Sequence, residues 1–273
     1  MKTRILAAAV LVPVLFLVVL VAPKWLAAVI FGILLGIAAY ELLYRTGLVR
    51  HPRLVVYSIL TAFAMAMWSY FDAVHAYLLL GLLVFCLLLF AEMMMDHVKV
   101  RLEMLGLCFF AGFIVPFLLS ALVRILTMSI GRYVILIPFV VAFMSDSGAY
   151  FIGLKFGRHK LAPVVSPNKT IEGALGGIVT AMSSMVIYAL VLDLLPVGLQ
   201  VNYAMALLYG LGGSIAGIFG DLCFSVFKRQ TGIKDYGNLI PGHGGVLDRF
   251  DSLMTVAPLM EALLLLVPMV SLW

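Results

Sequence analysis

Long apolar runs separated by short polar turns cover most of the chain. Nine such runs occur, at 5–22, 25–43, 54–70, 76–95, 102–123, 133–153, 173–192, 202–224 and 253–272. A bilayer core about 30 Å thick requires roughly 20 apolar residues per helix, and these runs approach or reach that length. The pattern therefore predicts an all-α polytopic integral membrane protein with about nine transmembrane helices.

The basic residues divide unevenly between the two sides of this arrangement. With the N-terminus in the cytoplasm, 15 of the 18 Lys and Arg residues fall inside, and only Lys24, Arg124 and Arg132 fall outside. This asymmetry follows the positive-inside rule and predicts an N-in, C-out topology. The formal charge of +5 is explained by the same bias, so we expect no nucleic-acid partner.

The two halves of the chain differ in their polar segments. We expect a single membrane domain over residues 1–273, in which 1–132 are mainly scaffold spans and 133–273 are the catalytic half. Two long polar loops, 154–171 and 228–251, interrupt the second half and hold eight of the 18 basic residues. Both loops fall on the predicted cytoplasmic side, so we expect functional chemistry there.

Carboxylates inside membrane spans are costly and are functional candidates by default. Glu41, Glu92, Glu103 and Glu261 lie alone or near the ends of their runs, and we interpret them as snorkelling or interhelically hydrogen-bonded side chains. Asp146 differs because Ser145, Ser147 and Gly148 surround it. Asp221 also differs, since Gly213, Gly217, Asp221 and Ser225 recur every four residues on one helical face. The glycines favour close helix packing, which leaves the carboxylate unexplained.

The loop 228–251 combines glycines, basic residues and carboxylates. Its glycines at 237, 242, 244 and 245 permit backbone conformations in which amide groups converge on an anion. If residues from Leu247 onward are helical, Asp248 and Asp251 face the same way and can meet Asp221. Carboxylates with nearby phosphate-binding bases are typical of a Mg²⁺–nucleotide site. The alternative is an interfacial turn whose charges are merely neutralised.

The loop 154–171 adds further positive charge. Lys155, Arg158, His159, Lys160 and Lys169 lie here, and Glu172 opens the next span. Lys169 and Thr170 enter a helix directly after a Ser-Pro turn, and donors at a helix N-terminus suit a phosphate. A plain positive-inside loop explains the same charges, so both interpretations stay open.

The residues from Ser225 to Asp251 form the pattern S-x-hydrophobic-K-R-x4-K-D-x-small-x2-hydrophobic-P-x-H-G-G-hydrophobic-x-D-R-hydrophobic-D. This stretch resembles the phosphatidate cytidylyltransferases, as do SDSGAYFIGLKFGRHKLAP and SPNKTIEGALGG. The likeness covers about Ser145 to Ser252, whereas the N-terminal half matches only in hydropathy. Ser147 stands where many members have Thr, and Asn168 and Ile171 occupy variable positions; none of these departures removes a charged group.

The resemblance implies a membrane enzyme that joins CTP to phosphatidic acid, giving CDP-diacylglycerol and pyrophosphate. It further implies a Mg²⁺-dependent site open to the cytoplasm, with a two-cation centre in which Asp221 and Asp248 are ligands. The resemblance also implies a homodimer. If the chain is bacterial, we expect it in the plasma (inner) membrane.

Taken together, the residues and the resemblance give three sets of predicted site residues. The predicted metal ligands are Asp221, Asp248 and Asp251. The predicted catalytic residues are Lys228, Arg229, Lys234, Asp235, His243 and Arg249. The predicted substrate-binding residues are Asp146, Ser166, Lys169, Thr170, Glu172, Ser225, Gly244 and Gly245. For His243 we expect loop ordering or a hydrogen bond to a phosphate rather than general-base catalysis.

Other functional classes explain part of the sequence. A secondary transporter could use Asp146 and Asp221 to relay ions, but such sites usually lie near the bilayer midplane within repeated halves. Here the acids gather at one end of the spans, and we find no repeat. Other lipid enzymes, such as CDP-alcohol phosphatidyltransferases or polyprenyl-phosphate sugar transferases, carry DG-type or paired-aspartate motifs, and the sequence has neither DG nor DD. A purely structural membrane protein leaves the 228–251 loop without a purpose.

Overall fold

The computed structural model describes residues 2–71, 75–239, 242 and 244–272, with side chains for all of these except 2–8 and 272. Helices dominate the described chain, because a helix satisfies its backbone hydrogen bonds internally in an apolar environment. The α-helices are α1 (Lys2–Phe16), α2 (Lys24–Tyr40), α3 (Pro52–Phe71), α4 (His75–Met95), α5 (Leu102–Phe109), α6 (Val115–Leu119), α7 (Ala121–Thr127), α8 (Gly131–Val134), α9 (Leu136–Phe156), α10 (Ile171–Asp193), α11 (Tyr203–Thr231), α12 (Leu247–Phe250) and α13 (Leu253–Leu266).

Seven helical segments in the described part of the chain are long and apolar enough to cross a membrane. They are Lys24–Arg45, Pro52–Phe71, His75–Met95, Leu102–Thr127, Gly131–Phe156, Ile171–Asp193 and Tyr203–Thr231. The prediction of an all-α integral membrane protein is confirmed at this level. Two further apolar helices, Ala9–Val21 and Leu253–Leu266, are shorter within the residues described with side chains, so the count of nine spans stays a prediction.

The predicted ninth span, 253–272, is not one continuous helix, because Pro268 interrupts the apolar run. Helix α13 ends at Leu266, and Val267 leaves the helical region with φ −139°. Pro268 follows Val267, and a proline disfavours helical geometry in the residue before it. Residues Val270–Leu272 then form a short strand. The apolar run is therefore a helix followed by a strand.

Three π-helical segments continue α-helices without a break. They are Leu17–Val21 after α1, Glu41–Arg45 after α2 and Phe110–Ile114 after α5. Single π turns inside longer helices occur frequently at functional sites. The segment Glu41–Arg45 begins at a buried carboxylate, to which we return below.

Four short strands form two antiparallel pairs. Strand β1 (Lys160–Ala162) pairs with β2 (Ser166–Thr170), so the loop between α9 and α10 is a hairpin whose second strand leads directly into α10. Strand β3 (Leu199–Val201) pairs with β4 (Val270–Leu272). The helices also extend into both predicted loops, because α9 ends at Phe156 and α11 ends at Thr231.

The chain divides into two compact units. One contains the described residues of 1–127 together with 230–250, and the other contains 128–229 together with the described residues after 250. The first unit thus combines the N-terminal helices with residues 230–250 of the 228–251 loop. The predicted single domain with a catalytic half over 133–273 stays a prediction. In this unit α2 packs along α3, and Gly36 lies against Ile59.

In the second unit α9 packs along α10 at close range. A Cβ built on Gly148 would overlap Thr180, and one built on Gly176 would overlap Ile152. Small residues let membrane helices approach in this way. On α11, a Cβ at Gly213 would overlap Val141 of α9. The predicted glycine face of α11 is confirmed as a packing face, and Asp221 lies two helical turns beyond Gly213.

Candidate active site

Asp221 on α11 is paired with Lys169 at the end of strand β2. The Lys169 ammonium forms an ion pair with Asp221 Oδ2, and both side chains are about three-quarters buried. Ser225, one turn further along α11, donates its hydroxyl hydrogen to Asp221 Oδ1 at 3.3 Å. The structure therefore brings together three predicted site residues, which come from two separate segments of the C-terminal half, the β1–β2 hairpin and α11.

Asp251 lies in the same unit and interacts with this acidic group. Burial raises the pKa of the Asp251 carboxyl above its ordinary value, and the negative charge of Asp221 raises it further. Lys228 opposes the rise, whereas the exposed Asp146 on α9 adds to it. Three predicted carboxylates and Lys228 thus lie within electrostatic range of one another. Their mutual repulsion favours the binding of a positive ion or group.

The β1–β2 hairpin is held at its base by Glu172 in the first turn of α10. The Glu172 carboxylate accepts hydrogen bonds from the backbone N–H of Arg158 at 3.0 Å and of His159 at 3.2 Å. It also contacts His159 Nδ1 at 2.5 Å. Thr170 caps the same helix, because its hydroxyl accepts the Gly173 N–H at 3.1 Å. Glu172 and Thr170 therefore order the entry to α10, and contact with substrate stays a prediction for both.

The end of α11 is tied to the tip of this hairpin. Arg229 Nε donates to the carbonyl oxygen of Val165 at 3.0 Å. Val165 precedes Ser166, the first residue of β2, whose side chain is half-buried. The hydrogen bond fixes Arg229 beside the hairpin, so one predicted catalytic residue has a positioning role in addition to its charge.

Asp248 organises the part of the 228–251 loop that belongs to the first unit, residues 230–250, which we call the glycine-rich loop. Its side chain is only 5% exposed, and Oδ2 accepts the backbone N–H of Tyr236 at 2.8 Å and of Gly245 at 2.9 Å. Gly244 has φ +88°, and a Cβ there would lie 2.7 Å from Asp248 Oδ2. The amide of Gly245, predicted to bind substrate, thus donates to a carboxylate of its own loop.

The other predicted residues of this loop are accessible where they are described. Lys234, Asp235 and Arg249 are exposed to solvent. Asp248 lies at the second position of the short helix α12, and Asp251 follows the end of that helix. The predicted role of His243 falls on a residue outside the described part of the chain.

Glu41 is the residue of this region that the sequence interpretation missed. Its side chain is 3% exposed, and its carboxylate accepts the N–H of Val246 at 3.1 Å and of Leu247 at 2.9 Å. The signal was a carboxylate within a membrane span, but the partners lie 205 and 206 residues away. Glu92, by contrast, accepts from Tyr57 OH of α3 at 3.0 Å, so its interhelical hydrogen bond is confirmed.

The donor set is compatible with a magnesium ion. No cluster of three or more His, Cys, Asp or Glu side chains within the described ranges is arranged to hold a metal. Mg²⁺ usually needs only one or two carboxylates, and water and substrate phosphates complete its coordination. Asp221 and Asp251 supply such oxygens, and the electrostatics around Asp251 favour a cation.

Comparison with known proteins adds evidence from the whole chain. The sequence model of the cytidylyltransferase family matches residues 2–267. Phosphatidate cytidylyltransferases of Staphylococcus haemolyticus and Staphylococcus epidermidis are each 45% identical to this chain over 139 residues. The enzyme of that name from Staphylococcus aureus is 44% identical over the same length. Each match covers 51% of this chain and 52% of the relative, so the chain spans about half the length of the curated relatives it matches.

Proposed function

Because the chain belongs to the cytidylyltransferase family, we propose that it transfers a cytidylyl group from CTP to phosphatidic acid. The products are CDP-diacylglycerol and pyrophosphate. The family resemblance predicted from the Ser225–Asp251 motif is confirmed by the match over residues 2–267. The observation that carries the proposed activity is the Lys169–Asp221 ion pair beside Asp251, a set of side chains suited to both a metal ion and phosphates.

The proposed reaction is a displacement at phosphorus. A phosphate oxygen of phosphatidic acid forms a bond to the α-phosphorus of CTP, and the bond from that phosphorus to the bridging oxygen of the β-phosphate breaks. Pyrophosphate leaves with the electron pair. A phosphate monoester has its second pKa at about 6, so the attacking group is mostly dianionic near neutral pH. The protein therefore needs to position and screen two polyanions rather than supply a strong base.

The basic side chains account for this screening. Lys169 forms an ion pair with Asp221, and Lys228 acts electrostatically on Asp251; both lysines are proposed to bind phosphates that share the metal. Lys234 and Arg249 are exposed in the first unit and are proposed to neutralise the leaving pyrophosphate or the incoming lipid phosphate. Arg229, held by Val165, would keep the hairpin with Ser166 and Lys169 against the end of α11 in the second unit.

We propose Asp221, Asp248 and Asp251 as the residues that hold Mg²⁺. Oδ2 of Asp248 accepts the amide hydrogens of Tyr236 and Gly245, and these two hydrogen bonds fix the orientation of its carboxylate. When bound, the ion neutralises phosphate charge and polarises the α-phosphorus. A second cation, implied by the family resemblance, would occupy the same carboxylate group.

The proposed setting is the plasma membrane of a bacterium, with the site facing the cytoplasm. We retain the nine-span, N-in and C-out arrangement as a proposal, in which Ala9–Val21 and Leu253–Leu266 cross the bilayer in addition to the seven long spans. A homodimer is proposed from family resemblance alone. Access to phosphatidic acid would be sideways from the bilayer, so the acyl chains need no aqueous route.

The activity is tested with purified protein in mixed micelles. The reaction contains CTP labelled at the α-phosphate, phosphatidic acid and Mg²⁺, and labelled lipid and pyrophosphate are measured separately. We expect both products in equal amounts, and none when EDTA replaces Mg²⁺ or diacylglycerol replaces phosphatidic acid. Absence of labelled lipid from protein that is folded and supplied with all components would contradict the proposal and favour the transporter hypothesis.

Asp248→Asn tests the assignment of the metal ligand. Asparagine keeps the volume and one oxygen for the Tyr236 and Gly245 amides, but it removes the negative charge. We expect turnover to fall by more than the roughly 10–100-fold that the loss of an outer-shell partner costs. The matched control is Asp193→Asn, because the exposed Asp193 accepts a hydrogen bond from Tyr203 OH at 2.9 Å and is not one of the predicted site residues. Near-normal turnover of Asp248→Asn would exclude Asp248 as a metal ligand.

A further inference from the structure

We infer that Glu41 is a positioning residue that holds the glycine-rich loop in the geometry Asp248 requires. Glu41 lies at the end of a candidate membrane span and begins the π-helical segment that follows α2. Its two carboxylate oxygens accept different amides, Oε1 from Val246 at 3.1 Å and Oε2 from Leu247 at 2.9 Å. Both oxygens are thus directed at the residues that immediately precede Asp248.

The energetics favour a specific role for this carboxylate. A buried carboxylate in a membrane helix is costly and persists when good partners compensate for it. The Val246 and Leu247 amides lie at the start of α12, where the first N–H groups of a helix have no partner within the helix. Glu41 therefore satisfies donors that would otherwise be buried without an acceptor.

The loop has space for Glu41 only because two of its residues are glycines. A Cβ built on Gly237 or on Gly245 would overlap the Glu41 carboxylate. These glycines belong to the two segments that Asp248 also joins, since Asp248 Oδ2 accepts the amides of Tyr236 and Gly245. Glu41 and Asp248 thus contact the same pair of loop segments. Loss of the Glu41 contacts should shift the Asp248 carboxylate.

Glu92 shows what a purely structural membrane carboxylate looks like in the same unit. It is 5% exposed, and its carboxylate accepts hydrogen bonds from two side chains, Tyr57 OH at 3.0 Å and Arg53 at 3.4 Å. Neither partner lies in the glycine-rich loop. Glu92 therefore matches Glu41 in burial and residue type but not in what it orders, which makes Glu92→Gln the control for Glu41→Gln.

The inference rests on the proposed function only where it assigns a metal role to Asp248. The experiment therefore has two readouts, hydrogen exchange of the loop and the Mg²⁺ dependence of turnover. Hydrogen exchange of the full-length protein in detergent reports on the loop without any substrate. In Glu41→Gln the side chain keeps one acceptor oxygen and gains an NH₂ group, so one of the two amides loses its acceptor. We expect exchange of the 244–250 peptide to accelerate by about 10–100-fold. The apparent Mg²⁺ concentration for half-maximal turnover should rise about tenfold.

Glu92→Gln should change neither readout, even if it lowers the melting temperature. Equal acceleration in both variants, or unchanged exchange in Glu41→Gln, would overturn the inference. If Glu41→Gln does not fold, Gly237→Ala takes its place, because the added methyl group displaces the Glu41 carboxylate without removing its charge. Unchanged exchange in Gly237→Ala then overturns it. A wild-type protein without activity contradicts the proposed function, while the exchange data still decide the role of Glu41.

Discussion

Asp251 occupies an environment that disfavours its own charge. Burial and the neighbouring Asp221 carboxylate raise its pKa above the ordinary value. A raised carboxyl pKa means that the folded state favours the protonated form, so ionisation costs stability. That cost appears as pH rises above the ordinary pKa of an aspartate and is fully present above the folded pKa. A bound cation would offset it, which links the instability to the proposed metal role.

Asp251→Asn should therefore stabilise the protein while reducing its activity. Asparagine keeps an oxygen for the Ser252 N–H, which donates to Asp251 Oδ1 at 2.9 Å. At pH 8 without Mg²⁺, we expect the melting temperature to rise by about 2–4 °C for each kcal/mol of removed repulsion. The difference from wild type should shrink as pH falls, because Asp251 is then protonated. Differential scanning fluorimetry across pH measures this, and a variant less stable than wild type at pH 8 would contradict it.

At the scale of elements, the loop between α11 and α12 depends on backbone conformations that only some residues adopt. Gly232 has φ +70° and Gly244 has φ +88°. Gly232 follows the last residue of α11, where a left-handed glycine commonly ends a helix. A Cβ on Gly232 meets nothing within 4 Å, whereas one on Gly244 lies 2.7 Å from Asp248 Oδ2. The two glycines thus share the left-handed conformation, which would strain any residue with a Cβ, but only Gly244 lies against Asp248.

This difference predicts unlike outcomes for two alanine substitutions. Each should cost about 1–2 kcal/mol of stability from left-handed backbone alone. Gly244→Ala should also displace Asp248, so turnover should fall by at least about tenfold. Gly232→Ala should lose similar stability but keep its turnover within about twofold. Parallel melting and turnover measurements check this, and an equal loss of turnover in both variants would show that strain rather than the Asp248 contact is responsible.

The elements that the sequence predicted well are those with a local repeat. The face of α11 with Gly213 and Asp221 follows from four-residue spacing, and the structure packs Gly213 against Val141. The β1–β2 hairpin was not predicted, because strands of three and five residues carry no periodic signal. The Glu41 contacts were also missed, since a pairing 205 residues apart has no local signature.

At the scale of the whole molecule, the number of spans determines where the chain ends lie. The positive-inside bias gives the seven long spans the same orientation whether the chain crosses the membrane seven times or nine times. If Ala9–Val21 and Leu253–Leu266 both cross, the N-terminus is cytoplasmic and the C-terminus is outside. If neither crosses, the two termini exchange sides. If only one of them crosses, both termini lie on the same side.

We expect the N-terminal tag to be cytoplasmic and the C-terminal tag to be external. The basic residues at the start of the chain favour the cytoplasm, and the runs 5–22 and 253–272 are apolar throughout most of their length. Labelling of intact cells with a membrane-impermeant reagent measures both ends. Val98→Cys, in the predicted cytoplasmic turn, and Val197→Cys, in the predicted external turn, calibrate the assay because their sides are the same in every count. An external N-terminal tag with a cytoplasmic C-terminal tag would establish seven spans, and it would leave the 154–171 and 228–251 loops on the side where CTP is found.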